Sequence, residues 1–414
     1  LQSVRPVEKW RVLAFTSLGH LINDGWTMFL PLVADIIANE KHALPIAITL
    51  ILVSFYSSSA LLNFYVGHLA DSRGSQGTIL ARGIALISLA FLGFALALAA
   101  TTNGFLYFLV AGVAILVGFG SSSYHPVGAA IIQASFGPGD SGKALGFNGA
   151  WGQVGAAVFP PLFFALVILF GEGGLLPVGE EYALALAVMS TIGVLAAFAI
   201  WRGLKDYRVA RDPVDGGRRR GMKEALTKGI LVLTVLTFVR SIANTGVSAW
   251  LPAYITNVKG EGVGSTLGLT LAVMYIGAIP GQLVLGTLVE RLDKRYVLGV
   301  SSAGAALAVL GYISTGGYLG LACITVFGFF SFSSFPTLLS LASDYVPRAS
   351  WSAGNGFVWG LGIMGGNVFG PVIGQVIIGE DYSRLTLAFV VLAVIGLIGA
   401  LATPLLAKAK KTKG

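Results

Sequence analysis

Charge is scarce in this sequence. Of 414 residues only 11% are Asp, Glu, Lys or Arg, whereas a soluble domain carries about 25%, so a water-soluble surface cannot be built and an integral membrane protein is expected. Cysteine is nearly absent as well. Cys323 is the single thiol and stands in an apolar run, which excludes a disulfide framework and any site built on thiolates. No N-x-S/T sequon occurs, so nothing argues for a glycosylated surface. Segments of alternating polarity are missing, which excludes a transmembrane barrel. No phosphate-binding Gly loop, nucleophile elbow or cofactor fingerprint is visible. An ATP-driven pump or a membrane enzyme is therefore not expected, and neither is a cofactor.

What the chain has is apolar length, with 55% hydrophobic residues and 56 glycines. About twenty residues cross a bilayer as a helix. Apolar runs bounded by charges or by Gly, Pro and polar clusters predict twelve spans near 11–37, 44–70, 78–100, 104–130, 143–170, 182–201, 227–256, 264–290, 296–314, 318–343, 353–378 and 384–406. The first is read as a retained span rather than a signal peptide, because His20, Asn23 and Asp24 interrupt it. The fold class expected is all-α and integral to the membrane.

With the first helix leaving the cytoplasm, 23 of the 27 basic residues fall on the inner side and only Lys41, Lys259 and Arg384 on the outer side. That asymmetry follows the positive-inside rule with both termini cytoplasmic, in a plasma (inner) membrane. The net charge of +8 is thus a topology signal, and nucleic acid is not an expected partner. Arg240 alone is left within a span. The basic connection 202–228 divides the chain into two six-helix bundles, 1–201 and 229–414 with its short basic tail. Arg218–Arg220 within it is read as a solvated connection or as a patch for anionic lipid.

The halves repeat each other. Asn23-Asp24-Gly25 precedes Leu30-Pro31 as Asn244-Thr245-Gly246 precedes Leu251-Pro252. At an offset of 210, Gly118-Phe119 and Pro126 recur as Gly328-Phe329 and Pro336. Gly146, Gly152, Gly155, Val158-Phe159 and Pro161 recur at the same offset as Gly356, Gly362, Gly365, Val368-Phe369 and Pro371. Parallel repeats of this kind imply two bundles related by an axis along the membrane normal, with a site near mid-depth.

After the second span comes Gly67-His68-Leu69-Ala70-Asp71-Ser72-Arg73-Gly74. It resembles the G-x3-D-x2-G loop of the major facilitator superfamily, with Ser75 where a basic residue is usual. A weaker echo runs from Gly286 to Glu290, Arg291, Asp293, Lys294 and Arg295. Within that superfamily the chain resembles the fosmidomycin-resistance exporters, through His20-x-x-Asn23-Asp24, Gly118-x-Gly120-Ser121-Ser122-Ser123-Tyr124-His125-Pro126 and the Gly-rich fifth span. The family's antiporter signature is partial: Gly146, Gly155 and Pro160 fit, but Phe159 and Phe163-Phe164 replace glycines. The resemblance implies the major facilitator fold, in which Asp71 with Gly67, Arg73 and Gly74 gates the cytoplasmic side near Ser352. Glu290 would do the same near Ser141.

A charge at the bilayer centre costs at least about 2.5 kcal/mol, which makes a mid-span ionisable residue a functional candidate. His20 and Asp24, four apart, share a helix face, and Arg240 lies in the counterpart helix. Three readings stay open. Asp24 carries a proton, Arg240 anchors an anion with two parallel hydrogen bonds, or the pair locks two helices together. His125 is a second proton relay or a hydrogen-bonded boundary residue. His20 with Asp24 also forms a weak candidate for a metal pair. Asn23, Asn148, Trp151, Gln153, Asn244, Tyr275, Gln282, Asn355 and Trp359 are further candidates for binding substrate.

The function expected is secondary active transport of a small-molecule solute by alternating access in a lipid bilayer, by a monomer. Proton antiport with export of a drug-like or anionic compound leads. Proton-coupled uptake of an organic anion and divalent-metal transport are the alternatives. A non-transporting receptor or scaffold would have no need of the intramembrane charges.

Overall fold

A computed structural model describes residues 6–73, 75–100, 104–172, 180–207, 226–346, 354 and 357–408. Those residues are almost wholly helical. Five helices cover most of the first half: α1 (Pro6–Glu40), α2 (Ile46–Arg73), α3 (Gln76–Ala100), α4 (Phe105–Ser121) and α6 (Glu180–Leu204), with α5 (Tyr124–Glu172) before the last. The second half holds α7 (Lys228–Asn257), α8 (Ser265–Arg291), α9 (Lys294–Ser314), α10 (Gly317–Ser331), α11 (Phe335–Tyr345), a π-helical stretch (Phe357–Met364), α12 (Gly365–Ile378) and α13 (Leu385–Leu401). Eleven stretches are long and apolar enough to cross a membrane, and Gly317–Ser331 is a shorter apolar helix. Together they make up the twelve spans.

Three expected boundaries change. The tenth span is not one helix over 318–343 but two, α10 and α11, interrupted at Phe332–Ser334. The fourth is likewise interrupted at Ser122–Ser123 and resumes in α5. α5 then continues without a break into the fifth span, yet it cannot be straight. A straight helix would put Tyr124 and Asn148 about 36 Å apart, whereas Tyr124 Oη and Asn148 Oδ1 are 3.1 Å apart. Ile132 and Ala144 both pack on Leu13, so the chain doubles back between them, in the stretch containing Gly137, Pro138, Gly139 and Gly142. Helix-breaking residues supply that reversal.

The residues form two compact units, 1–211 with 255–272, and 212–254 with 273–414. In the first unit α1 is the central helix, with 89% of its most apolar window buried. Its buried polar side chains, among them Asn23, Asp24 and Asp35, therefore need partners inside the protein. Trp26 stacks on Phe91 at 4.0 Å, meets Phe159 edge-on at 5.0 Å and donates from its indole to Ser88 Oγ at 3.1 Å. In the second unit Trp250 donates to the Pro371 carbonyl at 3.1 Å, and Tyr254 stacks on Phe389 at 4.8 Å.

Small residues set the approach of the helices. A Cβ on Gly118 would lie 2.6 Å from the Phe55 carbonyl oxygen of α2, and one on Gly328 would lie 1.8 Å from the Met274 carbonyl oxygen of α8. The offset of 210 thus corresponds to the same packing position in each unit. Gly155 against Leu21 O, at 2.0 Å, packs the fifth helix on the first in the same way.

Outside the spans, Asp293 caps α9 by accepting from the Arg295 amide at 3.1 Å. The Arg295 guanidinium, which also reaches the Leu406 carbonyl at 3.0 Å, holds the Asp293 carboxyl below the usual carboxylate range. Arg218–Arg220 lie outside the described residues.

Candidate functional site

Each unit gathers its polar side chains around an interrupted helix. In the first, α4 ends at Ser121 with four carbonyls to satisfy, and neighbouring serines take up most of them. Ser122 N–H donates to Gly118 O at 3.0 Å, Ser122 Oγ to Phe119 O at 2.8 Å and Ser123 Oγ to Gly120 O at 2.7 Å. The chain turns once and restarts at Tyr124 and His125, with Pro126 in the first turn, where its missing N–H costs nothing.

That restart aims two side chains at α1. The Tyr124 hydroxyl donates to Thr16 O at 2.8 Å, and its ring lies 4.7 Å from the His20 ring. His125 Nε2 lies 3.7 Å from Asp24 Oδ1, and His20 Nε2 lies 3.1 Å from Asp24 Oδ2. His20 Nδ1 is 2.8 Å from Asn148 Oδ1, and Asn148 Nδ2 donates to Ser17 Oγ at 3.4 Å. Asn23 Nδ2 donates to Asp24 Oδ1 at 2.9 Å. Gly152 leaves room for the pair, since a Cβ there would come within 2.6 Å of Asp24 Oδ2. A carboxylate thus lies between two imidazoles, one 12% and the other 30% exposed, with its own exposure at 7%. Such an arrangement can exchange protons without leaving a bare charge in the apolar layer. Three donor atoms, from His20, Asp24 and His125, also lie within 4.8 Å of one another, near enough to share a cation.

The second unit is built differently at the equivalent break. α10 ends at Ser331, and its last carbonyls are capped by Phe332 N–H on Gly328 at 3.3 Å and by Ser333 Oγ on Phe329. Arg240 takes the remaining two, donating from Nη2 to Phe330 O at 2.8 Å and Ser331 O at 3.1 Å, and also to Ser334 Oγ. Asn244 Nδ2 reaches Ser331 O at 3.4 Å, Gln282 Nε2 reaches Phe332 O at 3.4 Å, and the Tyr275 ring lies 5.3 Å from that of Phe332. Four of the sequence candidates therefore meet at one interruption. Arg240 is 5% exposed, and its Nη1 has no partner among the described residues.

Asp24 and Arg240 each find their polar partners within their own unit, Asp24 in two histidines and the Arg240 Nη2 at the end of α10. Gln153 is buried, with no partner for its Oε1 among the described residues. Trp151 is 39% exposed beside Phe147, and Trp359 is half-buried in the π-helical stretch. Asn355 and Gly74 lie outside the described residues, as do the side chains of Gly67, Asp71, Arg73 and Glu290.

Four residues were not marked out by the sequence pattern. Tyr124 was visible only as a motif letter, and Ser331 and Ser334 resemble any serine in a helix. Asp35 is the clearer omission, a carboxylate in the apolar run of α1 that is buried completely. The insertion cost applied to Asp24 applies to it equally.

Comparisons with known proteins agree with this architecture. The chain is 24% identical over 395 residues to the fosmidomycin resistance protein of Escherichia coli (strain K12), covering 94% of this chain and 91% of the relative. Among solved structures it resembles a bacterial homologue of the human lysosomal transporter Spinster in an inward-facing, unoccupied conformation. There the TM-score is 0.76 at 16% identity, covering 99% of this chain and all of that one. The E. coli fucose:proton symporter FucP gives 0.64 at 16% identity, covering 97% and 99%. The family model of the Major Facilitator Superfamily matches residues 17–364 and 264–414. This chain, a multi-pass membrane protein that moves a small solute, belongs to the Major Facilitator Superfamily.

Proposed function

We propose that the protein is a proton-coupled antiporter exporting a small organic anion or drug-like compound across the plasma membrane, with both termini cytoplasmic. It works as a monomer. The bundles 1–201 and 229–414, joined by the 202–228 connection, rock to expose the solute to either side in turn. One observation carries the reading: equivalent breaks hold unlike chemistry. His20, Asp24 and His125 at the first can pass a proton among themselves. At the second, Arg240 offers an anionic group an Nη1 that has no partner among the described residues, and a guanidinium binds carboxylate or phosphonate through paired hydrogen bonds. Interrupted helices with free backbone groups are where transporters of this kind place their sites. Export is supported by the resistance for which the E. coli relative is named. Proton coupling has a parallel in the fucose:proton symporter.

Purified protein in liposomes tests this. Asp24→Asn should keep solute counterflow yet lose accumulation driven by a pH gradient, and Arg240→Ala should weaken binding of anionic solutes. Unchanged accumulation in Asp24→Asn removes the proton role. If a transition-metal ion rather than an organic solute is accumulated, the His20–Asp24–His125 group is a cargo site instead.

A further inference from the structure

Asp35 takes no part in either site described above. It lies near the outer end of α1 and is 0% exposed. Its Oδ1 accepts from the Asn39 amide at 3.0 Å and its Oδ2 from the Thr256 hydroxyl of α7 at 2.9 Å. It belongs to none of the ion pairs formed among the described residues. The charged and titratable groups of the neighbouring outer turns are Glu40, Lys41 and His42, then Glu181 and Tyr182 of α6, and Lys259 and Glu261 beyond α7. Glu40 sits in the fields of Glu181, His42 and Lys41, whereas among the described residues the side-chain partners of Asp35 are an amide and a hydroxyl.

A second observation concerns the chain that Asp35 holds. α7 passes out of the second unit after Tyr254, and residues 255–272 pack with the first. Besides Thr256 on Asp35, Gly268 at the start of α8 lies so close to α5 that a Cβ there would be 2.6 Å from the Phe164 ring. The contacts that fasten the outer ends of α7 and α8 thus include this close packing and the buried Thr256–Asp35 hydrogen bond.

We propose that Asp35 is a proton-operated clasp on the outer end of α7. Protonated, it stays buried and bound to Thr256. When its proton leaves to outside water, the carboxylate has no paired cation among the described residues to offset its desolvation, and the clasp opens. No other bond changes. The inference rests on the alternating-access reading, because outward opening requires these outer ends to part.

The test places a reporter cysteine at Ile255, which is 0% exposed, in the full chain carrying Cys323→Ser. Labelling by a membrane-impermeant maleimide is followed in liposomes as external pH is raised. Each rate is divided by that of the same cysteine in detergent-unfolded protein at the same pH, which removes the change in thiolate fraction; so normalised, the parent should label about tenfold faster at alkaline than at acid pH. Asp35→Asn, neutral at every pH, should stay slow throughout, and Thr256→Val should be fast throughout. A parent without a pH step, or an Asp35→Asn variant that retains it, overturns the proposal. If Asp35→Asn does not accumulate, Thr256→Ser should keep the step that Thr256→Val loses, and a step preserved in Thr256→Val is equally fatal. Because the readout is accessibility, a protein with no proton-driven transport but a normal labelling pattern refutes the coupling reading alone.

Discussion

Replacing Arg240 with Met tests the idea that one guanidinium completes α10. Met fills similar space and removes the charge, so packing is nearly conserved while three hydrogen bonds vanish, two of them to the Phe330 and Ser331 carbonyls. Those carbonyls are helix-terminal and have no intrahelical donor. Interhelical hydrogen bonds in membranes average about 0.6 kcal/mol, which sets a floor of about 2 kcal/mol for the set. Charged hydrogen bonds reach about 1.5–3 kcal/mol each, but Met also avoids the desolvation that the buried guanidinium bears. The expected loss is about 2–3 kcal/mol, a shift of about 30- to 150-fold in the unfolding equilibrium. Equilibrium unfolding in mixed micelles, followed by tryptophan fluorescence, measures it. Arg240→Lys, which keeps the charge with fewer donors in fixed geometry, should fall between parent and Met. Stability of Arg240→Met within about 0.5 kcal/mol of the parent, the scatter expected of a neutral surface change, would show that the break needs no cap from Arg240.

Further outcomes follow from the same geometry. Gly155→Ala and Gly328→Ala each drive a Cβ to within 2.0 Å of a carbonyl oxygen and should cost about 1–3 kcal/mol or more, while Gly112→Ala, with nothing within 4 Å, should be neutral in the same unfolding assay. Gly152→Ala should displace Asp24 and His20 and slow gradient-driven accumulation more than it lowers expression. Arg295→Gln should be less stable than the parent at neutral pH. Asp293 is held below its ordinary range by Arg295, so that stabilisation is present above the unfolded aspartate value of about 4 and fades as pH falls below it. A difference that grows on acidification contradicts the assignment.

The number of spans, the repeat and the three mid-span charges were legible because each rests on a local property: apolar length, spacing, or a charge where none is tolerated. The interruptions were not. Ser121-Ser122-Ser123 before Tyr124 and Ser331 to Ser334 before Pro336 sit at the same offset as the repeat, but serine is tolerated inside membrane helices. Only the three-dimensional fate of the carbonyls separates a break from a continuous span. The reversal within α5 was placed correctly by Gly and Pro between the expected fourth and fifth spans, although the helix runs on through it. Asn244, Tyr275 and Gln282 were selected as polar residues in apolar helices; that they meet at Phe330–Ser334 depends on tertiary packing, which no spacing along one helix reports. Asp35 was legible and overlooked, its polar neighbours Asn39 and Glu40 giving it the look of a helix end.

The two interruptions differ in one property that protons cannot erase. Around Asp24 the charge can be gained or lost on an imidazole, whereas Arg240 stays cationic at any physiological pH. Any displacement of that guanidinium along the membrane normal does electrical work, about 2.3 kcal/mol for a full crossing at 100 mV. The membrane voltage therefore acts directly on the second unit, through the same side chain that closes α10.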